Sequence, residues 1–150
     1  MPTTLSDCAK LLMQDGIRHH LDAEEAAIRL VFVTQHYENP RGDKLAIVRL
    51  EAPDDGVRIR VSIARAFATD ADPATACLAL CRLAADTPLV GIEYETHGEG
   101  LRLVAETVIE DGRLTKRQLL ATIDRLVAAA EAWHVGLRAV TRRRRPRGAA

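Results

Sequence analysis

Apolar positions recur along this chain with two periods, and the switches between them mark its elements. Leu5, Cys8, Leu11 and Leu12 step along one face of a helix. Thr4 or Ser6 can cap that helix, and Gly16 can end it in the left-handed conformation. Ile17, His19 and Leu21 then alternate with Arg18 and His20 as a short extended segment, and Asp22 to Glu25 reads as a turn. Three strands follow, at Ile28 to Gln35, Lys44 to Glu51 and Val57 to Phe67, separated by turn clusters at 37–43 and 53–56. In the second cluster Asp54-Asp55-Gly56 supplies the positive φ of a hairpin turn. Val57, Ile59, Val61 and Ile63 share one face of the third strand, and Arg58, Arg60 and Ser62 share the other.

The period returns to 3.6 after Asp72-Pro73, a capping residue followed by a proline suited to the first helical position. Cys77, Leu80, Cys81 and Ala84 form the apolar stripe of this second helix, which stops before Thr87-Pro88. Two further strands run from Leu89 to Thr96, with Val90, Ile92 and Tyr94 on one side, and from Leu101 to Glu110. Turns at 97–100 and at Asp111-Gly112 follow them. In the last helix Thr115 and Gln118 form a capping box, and Leu114 and Leu119 form the hydrophobic staple across it. Leu119, Ile123, Leu126, Ala130, Trp133 and Leu137 then line one face, and the helix is expected to fade near Val140.

The order is α-βββ-α-ββ-α. Strands joined by short turns pair antiparallel. The expected fold is therefore α+β, a five-stranded antiparallel sheet with helices packed on one face. At 150 residues the chain makes one domain, and it buries roughly 70% of its unfolded surface without needing staples. Aromatic residues are only 3% of it, so Ala, Val, Leu and Ile must fill the core.

Charge divides the chain. Its formal net charge is zero, but Arg142, Arg143, Arg144, Arg145 and Arg147 crowd the end, leaving 16 basic side chains against 21 acidic ones elsewhere. The domain is expected over residues 1–140, with residues 141–150 a self-repelling, disordered tail. Five arginines can contact phosphates in a salt-dependent, sequence-blind way. No aromatic residues interleave with them for base stacking, and the acidic body is not the footprint of a nucleic-acid-binding domain. No apolar run is long enough for a membrane span, and the first residues lack signal-peptide features. Three cysteines are too few for a disulfide framework, so a reduced, cytoplasmic protein is expected.

Candidate chemistry is sparse. Cys77 and Cys81 are four residues apart on a helix and can reach one ion, but no recognised ligand spacing completes a set with Cys8, His19 or His20. Both cysteines are expected in the core as small hydrophobes. His19 and His20 point to opposite faces, one half-buried and one solvated. Neither Ser6 nor Ser62 lies in a nucleophile elbow, and the glycines form no phosphate loop. Catalytic residues, a metal and a cofactor are not expected. Trp133, in the apolar stripe, is expected in the core or at a dimer interface, and Trp133, Leu137 and Tyr94 are the candidate contact residues.

Several segments together resemble a known family. These are Leu11-Leu12-Met13-Gln14-Asp15-Gly16-Ile17, the hairpin around Asp54-Asp55-Gly56, Thr87-Pro88-Leu89-Val90-Gly91-Ile92-Glu93-Tyr94, and Gly112-Arg113-Leu114-Thr115 before the last helix. In pattern and order they resemble the type III secretion chaperone-like fold and, within it, the YbjN family of bacterial proteins, which are described as sensory transduction regulators. The resemblance covers roughly residues 5–140 and brings no catalytic residue to carry over. It implies a non-enzymatic, protein-binding fold that often dimerises, with another polypeptide as partner. The Arg-rich tail and the shortage of aromatics depart from the family's pattern. Nucleic-acid association through the tail and a small unrecognised enzyme are the alternatives.

Overall fold

The computed structural model describes residues 3–66, 73–95, 100–109 and 113–143. Its elements are α1 (Leu5–Gln14), β1 (His20–Asp22), β2 (Ala27–Val33), β3 (Leu45–Glu51), β4 (Arg58–Ile63), α2 (Pro73–Ala85), β5 (Val90–Glu95), β6 (Gly100–Val108) and α3 (Lys116–Arg143). Asp72, the turn residues His97, Gly98 and Glu99, and Asp111-Gly112 lie outside the described residues.

Local chemistry accounts for the helix ends. Thr4 and Asp7 cap α1 reciprocally, side chain to backbone in both directions. Gly16, at φ +70°, closes it, with the Gly16 N–H on the Met13 carbonyl and the Ile17 N–H on the Leu12 carbonyl. Those two bonds satisfy carbonyls that the helix itself leaves open. At α3 the side-chain oxygen Oε1 of Gln118 accepts from the Thr115 N–H at 2.9 Å, and Thr115 Oγ1 accepts from the Gln118 N–H at 3.2 Å. The box lies where the sequence put it, and Leu114 and Leu119 are both buried.

The sheet is antiparallel with strand order β1-β2-β3-β4-β6-β5, six strands where five were expected. The extra strand is the extended segment at His20–Asp22, which pairs with β2 through His20↔Arg29, Leu21↔Ile28 and Asp22↔Ala27. Three residues are too few for alternation to announce a strand; backbone pairing to β2 defines this one.

Register gives the sheet two different faces. Leu21, Ile28, Leu50, Val61, Ala105 and Val90 form one row across all six strands. All but Leu21 are buried under the helices. The adjacent row reads His20, Arg29, Arg49, Ser62, Val104 and Gly91 and belongs to the open face. The helices therefore cover one side only. α3 lies along the middle of the sheet, with α1 beside β2 and α2 beside β5. Cys8 and Leu12 from α1, Leu80 from α2, and Leu119, Ile123, Leu126, Ala130 and Trp133 from α3 complete the core.

The second helix departs from its expected phase. Its inward face is Ala76, Ala79 and Leu80, with Leu83 and Ala84 partly buried, while Cys77 and Cys81 are exposed. α2 has a single charged residue, Arg82, and besides it only Thr75 is polar, so little in its sequence marks which side faces water. α3 continues helical to Arg143, past Val140, and so carries Arg142 and Arg143 on helical backbone; Arg144, Arg145 and Arg147 lie outside the described residues.

Candidate interaction surface

The three expected contact residues part company in the fold. Trp133 is 1% exposed, and its indole Nε1–H donates to Thr87 Oγ1 at 2.9 Å. It takes the core alternative, filling the space beneath the corner where α2 ends. Leu137 follows it into the core. Tyr94 is 66% exposed. It shares the helix-facing side of β5 with Val90 and Ile92, but lies at the far end of that strand, opposite Leu101. His19 is half-buried, with Nδ1 3.0 Å from the Ile17 carbonyl, and His20 is exposed.

On α2 and at the near end of β5 the structure exposes apolar surface that the sequence pattern assigned elsewhere. The outward side of α2 presents Ala74, Cys77, Leu78, Cys81 and Ala85, with Arg82 at its margin. Leu78 is 58% exposed and Leu89, between α2 and β5, 68%. Leu89 also has a φ of +62°, a conformation that branched side chains avoid. β5 is an outer strand of the sheet, so one of its edges is not covered by another strand. A helix facing water ordinarily has a polar outer side, and one that is apolar all round is ordinarily covered on both. This flank thus combines an apolar helix face with a strand edge, two features that proteins use to receive other chains.

The open face of the sheet is different in kind. Arg29 and Arg49 are direct cross-strand neighbours, a like-charge pair that would repel. Glu25 Oε2 lies 2.9 Å from both guanidinium groups, and Asp22 and Glu51 add further pairs at 3.3 and 3.2 Å. Arg60 pairs with Glu93 and, at 3.3 Å, with Glu106, which also meets Arg58 at 3.4 Å. These pairs leave the centre of the open face electrically balanced. A second apolar area lies at one corner, where Val31 opposes Ile47 and Val33 is 85% exposed.

A third feature holds the β2–β3 loop against α3. The Glu131 carboxylate accepts the backbone N–H groups of Gln35 and His36 at 2.6 Å and of Tyr37 at 2.9 Å. Burial opposes its ionisation, but the donors from Gln35, Tyr37 and His36 outweigh that and hold its carboxyl below the usual range. One turn on, the His134 ring meets Tyr37 edge-on at 5.7 Å, and Arg138 pairs with Glu38 at 2.6 Å. Burial, with the nearby Arg138 charge, lowers the His134 pKa. Burial pushes the Tyr37 phenol up to about 12. The sequence carried no sign of this clasp, because its donors are backbone amides in a distant loop.

Among the described residues no three His, Cys, Asp or Glu side chains converge to hold a metal, and no helix is long and apolar enough to cross a membrane.

The helix-backed antiparallel sheet is a YbjN-like, type III secretion chaperone-like fold, the one the sequence resembled. The crystal structure of YbjN, a candidate transcription regulator from E. coli, superposes with a TM-score of 0.63 at 12% identity, covering 93% of this chain and 94% of that one. A chain of the heterodimeric ExoU–SpcU complex, from the type III secretion system of Pseudomonas aeruginosa, superposes with a TM-score of 0.50 at 19% identity, covering 87% and 94%. No family profile and no curated protein matches the sequence.

Proposed function

We propose that this chain is a non-catalytic polypeptide-binding module that receives its partner on the flank formed by α2 and β5. The observation that carries the reading is the apolar outward side of α2, with Leu78 as its largest exposed side chain. Burying such a face stabilises a complex at roughly 25 cal/mol per Å² of apolar surface removed from water. The β5 edge beside it can add backbone hydrogen bonds to an incoming strand. The similarity to a chain of the two-polypeptide ExoU–SpcU complex supports the same reading. The partner on this flank is either a second copy or a different polypeptide, and Tyr94, with Leu78 and Leu89, is the contact residue of choice.

The test is light scattering on the purified chain, followed by capture of partners from lysate, for the wild type and for Leu78→Glu and Tyr94→Ser. The reading expects a dimer, or a captured partner, that Leu78→Glu abolishes while the far-ultraviolet spectrum and the urea midpoint stay unchanged. A folded Leu78→Glu variant that associates like the wild type overturns it.

The alternative is nucleic-acid association through the arginine-rich end, and the helical backbone under Arg142 and Arg143 gives it one observation. Against it, Arg29, Arg49, Arg58 and Arg60 on the open face are each matched by a carboxylate, so these four add no unpaired positive charge. It expects binding to DNA or RNA that falls steeply with salt and disappears on deletion of residues 141–150. Retention unchanged by that deletion removes it.

A further inference from the structure

We propose that Cys77 and Cys81 form a two-thiolate site on the outward side of α2 that takes one soft, two-coordinate cation of the copper(I) type. Both thiols are free and exposed, whereas the third, Cys8, is buried. Positions four apart on a helix are neighbours on its surface, with Cβ atoms about 5–6 Å apart, so both sulfurs can reach one small ion. The exposure matters: in the core, where apolar patterning placed them, the pair would be packing atoms closed to solvent.

The ligand set selects the ion. Thiolate sulfur favours copper(I), zinc and iron–sulfur centres over hard cations. Zinc in structural sites requires four ligands. Among the described residues no group of three or more His, Cys, Asp and Glu side chains converges, so those residues offer no tetrahedral set. Two thiolates alone match a cation that accepts low coordination. The balance is simple: two thiols and one copper(I) ion give a bis-thiolate complex of net charge minus one and release two protons, with no change of oxidation state. Arg82, the next residue after Cys81 and the one charge on the helix, is exposed beside that negative complex.

Cys8 is the internal control. Burial, reinforced by the neighbouring Asp7, pushes its thiol up to about 11, so it supplies little thiolate at neutral pH.

The experiment titrates the reduced full chain with copper(I) under anaerobic conditions against a chromogenic copper(I) chelator. The expected stoichiometry is one ion per monomer. Cys77→Ser or Cys81→Ser alone should weaken binding by roughly a hundredfold or more, since each removes the chelate. The double variant Cys77→Ser/Cys81→Ser should retain none while keeping the wild-type circular dichroism. Three results overturn the proposal: no copper held against the chelator, equal retention by the double variant, or one ion per two chains in a copper-induced dimer. Docking of a partner would cover the same side of α2, so the titration is run on the dissociated chain, with Leu78→Glu holding it monomeric where the wild type associates; docking itself is read by light scattering.

Discussion

The indole N–H of Trp133 donates to the hydroxyl of Thr87 at 2.9 Å, and that hydroxyl in turn donates to the Leu83 carbonyl at 2.9 Å. One threonine thus ties the long helix to the last turn of α2. Close by, Gly136 lets the helices approach: a Cβ there would lie 3.0 Å from a Leu83 methyl. Trp133→Ala should therefore cost about 3–5 kcal/mol, the range for emptying a buried aromatic site. Trp133→Phe keeps most of the packing and should cost less, with about 1 kcal/mol of it from the lost hydrogen bond. Urea unfolding of both variants measures the difference.

Glu131 makes the stability of the loop clasp depend on pH. Its carboxyl is held below the ordinary value in the fold, so its stabilisation is fully present above the unfolded pKa, near 4.5, and is lost as pH falls through the lower folded value. Glu131→Gln should lower stability by about 1–2 kcal/mol at pH 7, since charge-assisted bonds to three amides become neutral ones at a partly solvated site. The gap between variant and wild type should close in the acid range. Unfolding curves at pH 7 and pH 3 test this; an unchanged gap at pH 3 would count against the clasp.

Two leucines on α2 separate core from surface. Leu80 is fully buried and Leu78 is 58% exposed. Leu80→Ala should cost about 2–4 kcal/mol. Leu78→Ala, measured on the dissociated chain, should stay within about 0.5 kcal/mol. Equal costs would mean that the helix is turned the other way.

Thiol chemistry reads the same rotation independently. The native, dissociated chain at pH 8 should react with a disulfide reagent at two thiols, Cys77 and Cys81, with Cys8 following only on denaturation. Immediate reaction of all three would expose a core looser than the burial of Cys8 indicates.

The parts of the fold that were legible are those where polar residues fix the phase. Thr115 and Gln118 located the start of α3 because each needs the other at a set spacing. Arg58 and Arg60, alternating with Ile59 and Val61, told the two faces of β4 apart. α2 was misphased by a residue because its sequence, apolar but for Thr75 and Arg82, fits more than one rotation. β1 was too short to count. The fold resemblance was readable as an order of elements. The candidate surface was only partly so: Tyr94 was named for it and is exposed, whereas Trp133, expected in the core or at an interface, is buried in the core. Glu131 was invisible, since the amides of Gln35, His36 and Tyr37 are 94 to 96 positions away and belong to no side-chain pattern.

The sheet order places β6 beside β4 and sends β5 to the margin, so Arg58 pairs with Val108 across a span that contains all of α2 and β5. As the polypeptide leaves the ribosome, β4 then waits with a bare flank until some fifty more amino acids have been translated. During that interval the nascent N-terminal half exposes the strand most in need of a neighbour, and a holdase or a stray segment can pair with it first. Assembly of this protein should accordingly be sensitive to the pace of elongation through that stretch, more than its modest size would suggest.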